Sequence, residues 1–408
     1  MPAPPAVPER RITRRDPEAE LLRLCARTAL NSAQSSLLHD VVGDVRDWDA
    51  LLRRAAFHGL LPLLGKHLDG RRSGDIPPAV LQRAREELRR ITRFNLALTA
   101  ELLALLAGLE ARGVLAIPYK GPVLAASVYG HVGLRDFGDL DILVRRDDVV
   151  TAKAVLLQHG YRPQYDLSSA QEATLIETRY EHPFERPEDG VVVEVQWAIV
   201  PRYFALPLNY EDLWLRKEDV PLGGRMVPSL SPEDLLLVLI AHGGKHLWRR
   251  IGWVCDIAQL LRSRPELDWG AVHAEADRLG AGRLLHLGLR LARDSLGISL
   301  PPEVAARVDS DAIAAVLAAQ VQEDWWARPE TWPGIWESMR FHLRARERWQ
   351  DRLRYCVGVA MTTTPGDWTV LTLPRCLFPL YYPLRAIRLA VKYGGMARRR
   401  LVIGRGPA

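Results

Sequence analysis

Two aspartates separated by one residue, Asp139 and Asp141, are the side chains of this sequence best suited to chemistry. They alternate with the apolar residues Leu140, Ile142 and Val144, a spacing typical of a β-strand with one polar and one apolar face. Two carboxylates on one face repel each other, and hard divalent cations such as Mg2+ favour oxygen ligands of this kind. Taken alone, an Asp-x-Asp pair is more often a solvent-facing strand end, so the neighbouring sequence decides between the two interpretations.

A third acid, Glu194, lies in a later apolar segment, Val191 to Ala198. An Asp-Gly pair separates this segment from Tyr180 to Phe184, which is a signal for a β-hairpin. If the strand of Glu194 neighbours the strand of the two aspartates, the three acids meet at one edge of the sheet. Metal ions held there can activate a hydroxyl nucleophile and neutralise the charge of a leaving pyrophosphate.

Basic residues upstream of the aspartates could bind an anionic substrate. Lys120-Gly121 stands at a predicted strand-to-helix turn, where free backbone N–H groups attract an anion and the lysine adds charge. Arg135, four residues before the first aspartate, either binds a triphosphate or pairs with Asp136 in a loop. Both interpretations of Arg135 are open.

Two histidines, His242 and His246, are spaced to share one face of a helix, and Lys245 lies between them. Contact with a nucleotide and a structural role are both open for the histidines. Lys245, Arg249 and Arg250 suit a helix that faces phosphate, and a solvated basic face predicts the same residue types.

Helical patterns flank the segment that carries the acids. Apolar spacing and cap residues predict helices over Pro17 to Leu30, Trp48 to His67, Pro77 to Gly113, Leu284 to Leu296 and Val304 to Gln322. Ser231-Pro232 marks the start of a further helix, which continues over Leu235 to Leu261 with a possible break at Gly243-Gly244. We therefore predict an α+β fold, in which a small mixed β-sheet is flanked by N-terminal and C-terminal helical regions. The predicted divisions are a disordered leader (1–16), an N-terminal helical region (17–112), an α/β core (113–225), a helical domain (226–325) and a C-terminal region with a basic tail (326–408).

Composition indicates an ordinary soluble protein, because the 408 residues are 48% hydrophobic and 25% charged with a net charge of +6. The four cysteines are far apart and form neither a disulfide framework nor a metal-type pair, which fits a reducing compartment. The first sixteen residues lack the apolar core of a secretory signal, and no apolar run reaches the roughly 18 residues that span a bilayer. A cytoplasmic protein without a membrane span is expected.

The order of these motifs resembles the polymerase-beta-type nucleotidyltransferase superfamily. In that superfamily a glycine turn precedes an Asp-x-Asp strand, and a third acid lies on a later strand, as they do here. More narrowly, the chain is similar from about Trp48 onward to a bacterial family of uncharacterised nucleotidyltransferases. Further segments that carry this resemblance are His242 to Trp248, Trp253, Asp256, Thr364 to Trp368 and Leu380 to Tyr382.

The resemblance implies a nucleotidyl-transfer core in which Asp139 and Asp141 bind Mg2+, with two ions in the site. Glu194 would be the third metal ligand, or the base that takes a proton from the acceptor. An NTP such as ATP is the implied substrate, and the residues implied to bind it are Lys120, Gly121, Arg135, Lys245 and His246. The acceptor is open: a small molecule, a peptide, a protein and an RNA all fit.

The glycine turn departs from the superfamily pattern, since Lys120-Gly121-Pro122 stands where Gly-Ser or Gly-Gly is usual. This departure motivates a second interpretation, a catalytically inactive nucleotide- or partner-binding protein on the same fold. A third interpretation is nucleic-acid binding through the arginine-rich ends, with affinity that falls steeply with salt. It ranks last because those arginines lie outside the matched core.

Overall fold

The strands that carry the candidate acids are neighbours in a five-stranded mixed sheet. The computed structural model describes residues 16–69, 76–204, 206–327 and 332–362. The strands of the sheet are β1 (Ala116–Pro118), β2 (Asp139–Val144), β3 (Arg162–Pro163), β4 (Glu181–Glu185) and β5 (Val192–Gln196). They lie in the order β1-β2-β5-β4-β3, in which β2 and β5 run parallel and the other pairs antiparallel.

Helices precede, interrupt and follow the sheet. Those before it are α1 (Pro17–Cys25), α2 (Ser32–Asp44), α3 (Trp48–His58), α4 (Leu61–Asp69) and α5 (Pro78–Glu110). Those within and just after it are α6 (Gly121–Tyr129), α7 (Val149–Gln158), α8 (Ser169–Thr178) and α9 (Tyr210–Arg216), followed by a hairpin of β6 (Glu218–Leu222) and β7 (Arg225–Ser229). The later helices are α10 (Pro232–Lys245), α11 (Ile251–Ser263), α12 (Trp269–Leu279), α13 (Gly282–Leu296), α14 (Pro302–Ser310), α15 (Ala312–Ala327), α16 (Ile335–Ala345) and α17 (Trp349–Met361). The predicted α+β fold, a small mixed sheet flanked by helical regions, is confirmed.

The two faces of the central strands have different roles. Leu140 and Ile142 of β2 and Val193 and Val195 of β5 are buried in a core that also holds apolar residues of α5 and α7. The acids of β2 and β5 alternate with these residues and therefore lie on the opposite face of the sheet. The period-two reading of both strands is thus correct, and the second face of the sheet carries the three candidate acids.

A second core joins helices from both ends of the sequence. It contains buried leucines of α1 to α4 together with buried residues of α10, α11 and α13. Polar contacts cross the same boundary, since Arg27 Nη2 donates to the carbonyl of Leu296 at 3.2 Å. The N-terminal and C-terminal helices therefore stabilise each other as well as flanking the sheet.

Several predicted helices have different bounds in the structure. The helix expected over Pro17 to Leu30 ends at Cys25, and α2 follows after a capping box at Asn31, which satisfies the free N–H groups of its first turn. The helix expected over Trp48 to His67 is two helices, because Gly59 adopts a left-handed φ of 70° and ends α3. Helices α2, α8, α9 and α12, strand β3 and the β6–β7 hairpin were not predicted, and no individual helix was predicted after residue 325.

The possible break at Gly243-Gly244 lies later in the structure, because α10 continues to Lys245 and α11 begins at Ile251. Both glycines lie inside the helix. A Cβ at Gly243 would lie 2.2 Å from the ring of Trp248, so the glycine makes room for that ring. The chain reverses only after the helix, where Leu247 and Trp248 adopt left-handed φ angles of 56° and 54°. Such angles are costly for residues with side chains, at roughly 1–3 kcal/mol each.

Among the described residues, α5 alone is long and apolar enough to cross a membrane by length and composition. Its buried residues Leu98, Leu102, Leu105 and Leu109 pack in the core beside the sheet. The leader up to residue 15, the segments Thr364 to Trp368 and Leu380 to Tyr382, and the basic tail lie outside the described residues. The predicted domain boundaries stay a prediction.

Candidate active site

The three predicted acids line one cavity of about 500 Å3. Asp141 of β2 is directly opposite Glu194 of β5 in the parallel pair, and Asp139 lies one strand repeat earlier, opposite Val192. The side chain of Asp141 is only 1% exposed, whereas Asp139 and Glu194 are partly exposed at the cavity. Strand periodicity and parallel pairing therefore bring the three carboxylates to one face, as the sequence predicted.

Lys120 is an integral part of this acidic cluster. Its ammonium lies 2.8 Å from Asp141 Oδ1, and its side chain is 9% exposed. Burial lowers the pKa of Lys120, but the charges of Asp141 and Asp139 outweigh burial and leave that pKa raised. The lysine is therefore a fixed positive charge beside the aspartate.

Gly121, the next residue, does not line the cavity. It begins α6 with a left-handed φ of 54°, and a Cβ there would lie 3.3 Å from the carbonyl oxygen of Asp139. The glycine allows the turn to approach β2 closely, which is what places Lys120 against Asp141.

Gln196 is a site residue that sequence reasoning did not assign. Its Nε2 donates to Asp141 Oδ1 and to Glu194 Oε2, both at 2.8 Å, and its Oε1 accepts from the hydroxyl of Tyr119. All three side chains are consequently held in place by one amide. The available signal was its i, i+2 spacing from Glu194, which puts both residues on the same strand face.

The acidic cluster carries more negative charge on its carboxylates than Lys120 can neutralise. Burial and the charge of Asp141 raise the pKa of Asp139. Burial, followed by the charges of Asp141, Glu181 and Asp139, raises the pKa of Glu194 to about 8. Lys120 thus balances the negative charge of one carboxylate, and the carboxylates of the cluster still repel each other.

The donor set fits a hard divalent cation, because carboxylate oxygens that share a cavity and repel each other are relieved by such an ion. As it stands, no group of three His, Cys, Asp or Glu side chains within the described ranges is arranged to hold a metal. One oxygen of Asp141, Oδ1, already accepts hydrogen bonds from Lys120 and Gln196.

Arg135 also lines the cavity, and its guanidinium is held from behind. Its Nε and Nη2 lie 2.8 Å and 2.9 Å from the two carboxylate oxygens of Asp256 on α11. The hydroxyl of Tyr129 donates to the same carboxylate at 2.6 Å. The alternative in which Arg135 pairs with Asp136 is therefore wrong, because the partner of Arg135 is Asp256. A role of Arg135 toward a triphosphate stays a prediction.

Lys245 enters the cavity from the end of α10. Its ammonium contacts the hydroxyl of Tyr180 at 3.3 Å and lies 5.2 Å from the centre of that ring. No ion pair joins it to a carboxylate in the described part of the chain. Burial, then the charge of Lys120, lowers the pKa of Lys245. The charge of Glu181 offsets part of the cost of burying this cation, and a bound anion would offset more of it.

The two histidines share a helix face as predicted, with ring centres 4.8 Å apart. Trp253 packs against both, at 5.5 Å from His242 and 5.1 Å from His246. Burial and neighbouring cations lower the pKa of both rings, that of His246 to about 2. The histidines are therefore neutral side chains that line the cavity with aromatic surface.

Comparison with known proteins identifies the family. No curated protein matches the chain at a significant level. The solution structure of the antibiotic-resistance factor ANT(2'')-Ia is similar at 17% identity over 57% of this chain and 95% of that chain, but the TM-score of 0.27 is too low to support an argument. A family model described as "Uncharacterised nucleotidyltransferase" matches residues 44–297, which include every predicted site residue. The chain therefore belongs to the family of uncharacterised nucleotidyltransferases.

Proposed function

We propose that this chain is an Mg2+-dependent nucleotidyltransferase, which moves a nucleoside monophosphate from an NTP such as ATP to an acceptor. The observation that supports the proposal is a cavity in which Asp139, Asp141 and Glu194 outnumber the one ammonium beside them. Membership of the nucleotidyltransferase family supports nucleotidyl transfer as the reaction of such a cluster.

The oxygens open to a cation are those that protein donors leave free. Lys120 and Gln196 bind Asp141 Oδ1, so Asp141 Oδ2 and the carboxylates of Asp139 and Glu194 would hold Mg2+, two ions in the full site. When bound, Mg2+ would supply positive charge that polarises the phosphate and neutralises the leaving pyrophosphate.

The remaining steps fall to the protein's own side chains. An acceptor oxygen attacks the α-phosphorus, a new O–P bond forms, and the bond to the oxygen bridging the α- and β-phosphates breaks with departure of pyrophosphate. Glu194 has two alternative roles here: it completes the metal site or, when left free of the ion, accepts the proton of an acceptor hydroxyl, for which its pKa of about 8 suits a base that works near neutral pH. Gln196 orients that base, because it donates to Glu194 Oε2.

Substrate binding would use the opposite wall of the cavity. Lys245 and Arg250 line it and form no ion pair with a carboxylate among the described residues, so they suit the phosphates. The neutral rings of His242, His246 and Trp253 offer flat surface to a nucleobase.

The direct test is incubation of the full chain with α-labelled NTPs, Mg2+ and cell extract or candidate acceptors. The change Asp139→Ala plus Asp141→Ala should reduce transfer at least a thousandfold, because it removes two of the three proposed metal ligands. Asp147→Ala plus Asp148→Ala is the matched control, since these acids follow the same strand outside the cavity and should leave transfer unchanged. Transfer retained by the first double variant would contradict the proposal.

One observation favours a second candidate function, a nucleotide- or partner-binding protein without catalysis. Lys120 pairs with Asp141 at 2.8 Å and so supplies positive charge that a cation would otherwise supply, as a residue of an inactive site would. Calorimetry separates the two functions: NTP binding that Mg2+ does not change, with no turnover, would favour the binding protein.

A further inference from the structure

A second cavity, of about 340 Å3, adjoins the active-site cavity. Lys245, His246 and Trp332 line both cavities and form their common wall. The second cavity is bounded on its other sides by α16, α17 and the turn at Tyr203 and Phe204. A molecule held there would therefore lie next to the bound nucleotide.

Aromatic rings make up much of its lining. His342 lies 5.6 Å from Phe204 and 5.2 Å from Tyr355, and Tyr203 lies 6.4 Å from Tyr355, measured between ring centres. The guanidinium of Arg346 packs 4.2 Å from the centre of the Tyr355 ring. Phe204, His342 and Tyr355 are nearly buried and form a rigid wall. Trp332, which is 58% exposed, offers aromatic surface that suits a flat aromatic ligand.

The charge of the second cavity differs from that of the first. Five acids line the active-site cavity, whereas none of the described residues lining the second cavity is Asp or Glu. Arg179 and Lys245 are its cations, and within the described ranges neither is paired with a carboxylate. Its histidines are uncharged, because burial is the main cause that lowers the pKa of His246 to about 2 and that of His342 to about 3.

We infer that the second cavity binds the acceptor, and that this acceptor is an aromatic molecule carrying negative charge. The inference rests on the proposed nucleotidyl transfer and adds the chemical class of its second substrate. Charge complementarity supports an anion: Arg179, which lines the second cavity alone and forms no ion pair with a carboxylate among the described residues, attracts an anion and repels an amine, and Lys245 on the common wall adds positive charge. The nucleotide is the poorer occupant, since the first cavity already offers it cations and the rings of His242, His246 and Trp253.

Three phenols of similar size and different charge test the inference: 4-hydroxyphenylacetate is an anion, tyrosol is neutral and tyramine is a cation. Dissociation constants would be measured by ligand-observed NMR on the full chain. We expect affinity to fall in the order anion, neutral, cation, with about tenfold or more between the extremes, which corresponds to about 1.4 kcal/mol. Tyramine binding as tightly as 4-hydroxyphenylacetate, or no binding of any of the three, would overturn the inference.

Variants locate the site. Arg179→Gln should weaken binding of the anion at least about threefold and leave tyrosol unchanged, because it removes one charge and little surface. Arg225→Gln, at an exposed position outside the cavity, is the matched control. Ser338→Trp should abolish binding of all three phenols by filling the cavity. Binding that is the same in wild type and Arg179→Gln would overturn the inference even if Ser338→Trp fails to fold.

Competition separates acceptor from nucleotide. A non-hydrolysable NTP should leave the affinity for 4-hydroxyphenylacetate unchanged or raise it, because the two ligands occupy adjoining cavities. Competitive displacement would assign the second cavity to the nucleotide and overturn the inference without affecting the proposed transfer. Conversely, loss of the proposed function would appear as absent transfer with the charge order of phenol binding intact.

Discussion

Two buried clusters of charge lie beside the same cavity, and they differ in how well their charges match. In the Arg135 cluster, one guanidinium makes two hydrogen bonds to one carboxylate, Asp256, and Tyr129 adds a third. In the acidic cluster, one ammonium, Lys120, faces Asp141 while two further carboxylates stand beside it. Both pairs are nearly excluded from solvent, with exposed fractions of 12% and 2% in the first and 9% and 1% in the second.

This difference in charge balance distinguishes a cluster that stabilises the fold from a cluster suited to chemistry. A matched pair is satisfied by the protein alone, and Arg135–Asp256 joins the loop before β2 to α11. An unmatched cluster leaves neighbouring carboxylates in mutual repulsion, which the fold bears and which the proposed Mg2+ would relieve. We therefore expect the first cluster to stabilise the fold and the second to weaken it.

The largest effect is expected at the matched cluster. Asp256→Asn keeps the shape of the side chain but leaves Arg135 buried without a counter-charge, so the free energy of unfolding should fall by about 3–5 kcal/mol. Denaturant unfolding would measure this loss. Asp49→Asn, which affects the exposed Arg83–Asp49 pair, should cost less than about 1 kcal/mol. Similar losses in the two variants would contradict the structural role of the matched cluster.

An intermediate effect is expected from pH at the unmatched cluster. Because the folded chain raises the pKa of Glu194 to about 8 from its usual 4.5, the unfolded state releases this proton first as pH rises. The stabilisation from Glu194 is therefore complete below pH 4.5 and lost between pH 4.5 and 8, by about 1–3 kcal/mol once solvent screening is included.

Glu194→Gln removes that titration, and should flatten the dependence of stability on pH in this range. Unfolding at pH 5.5 and pH 8.5 gives the comparison, with the exposed Glu188→Gln as control. A pH dependence that is the same in wild type and Glu194→Gln would show that the acids do not repel each other as the cavity suggests.

The smallest effect is expected from the cation itself. Mg2+ at ten times its dissociation constant should stabilise the wild-type chain by about 1.4 kcal/mol, and the expected readout is a rise in Tm. Asp139→Ala plus Asp141→Ala should show no rise, and KCl at equal ionic strength should not replace Mg2+. An equal rise in the double variant would place the Mg2+ effect outside the acidic cluster.

Local periodicity was enough to find the acids. The strand pattern around Asp139 and Asp141 and the hairpin signal before Glu194 each depend on a few consecutive residues, and the structure places the three side chains on one sheet face. Proline and serine at the start of α10 likewise predicted its beginning correctly, because capping is a local interaction.

Contacts between segments distant in the sequence could not be predicted from local patterns. The Lys120–Asp141 pair depends on how closely the turn before α6 approaches β2, and the Arg135–Asp256 pair joins residues 121 positions apart. The expected helix break at Gly243 was misplaced for the same reason. A glycine that looks like a helix break by propensity is kept inside the helix because the ring of Trp248 packs against it.

The core shared by the two ends of the sequence also determines when the protein can fold during synthesis. Arg27 and its partner Leu296 are 269 residues apart, and the leucines of α1 to α4 pack against helices that begin after residue 231. At about 5–20 residues per second, a ribosome needs roughly 13–54 s to make the chain between those partners. For that time the apolar faces of the first four helices lack the later part of their core, so the nascent chain depends on chaperones more than a protein with local cores would.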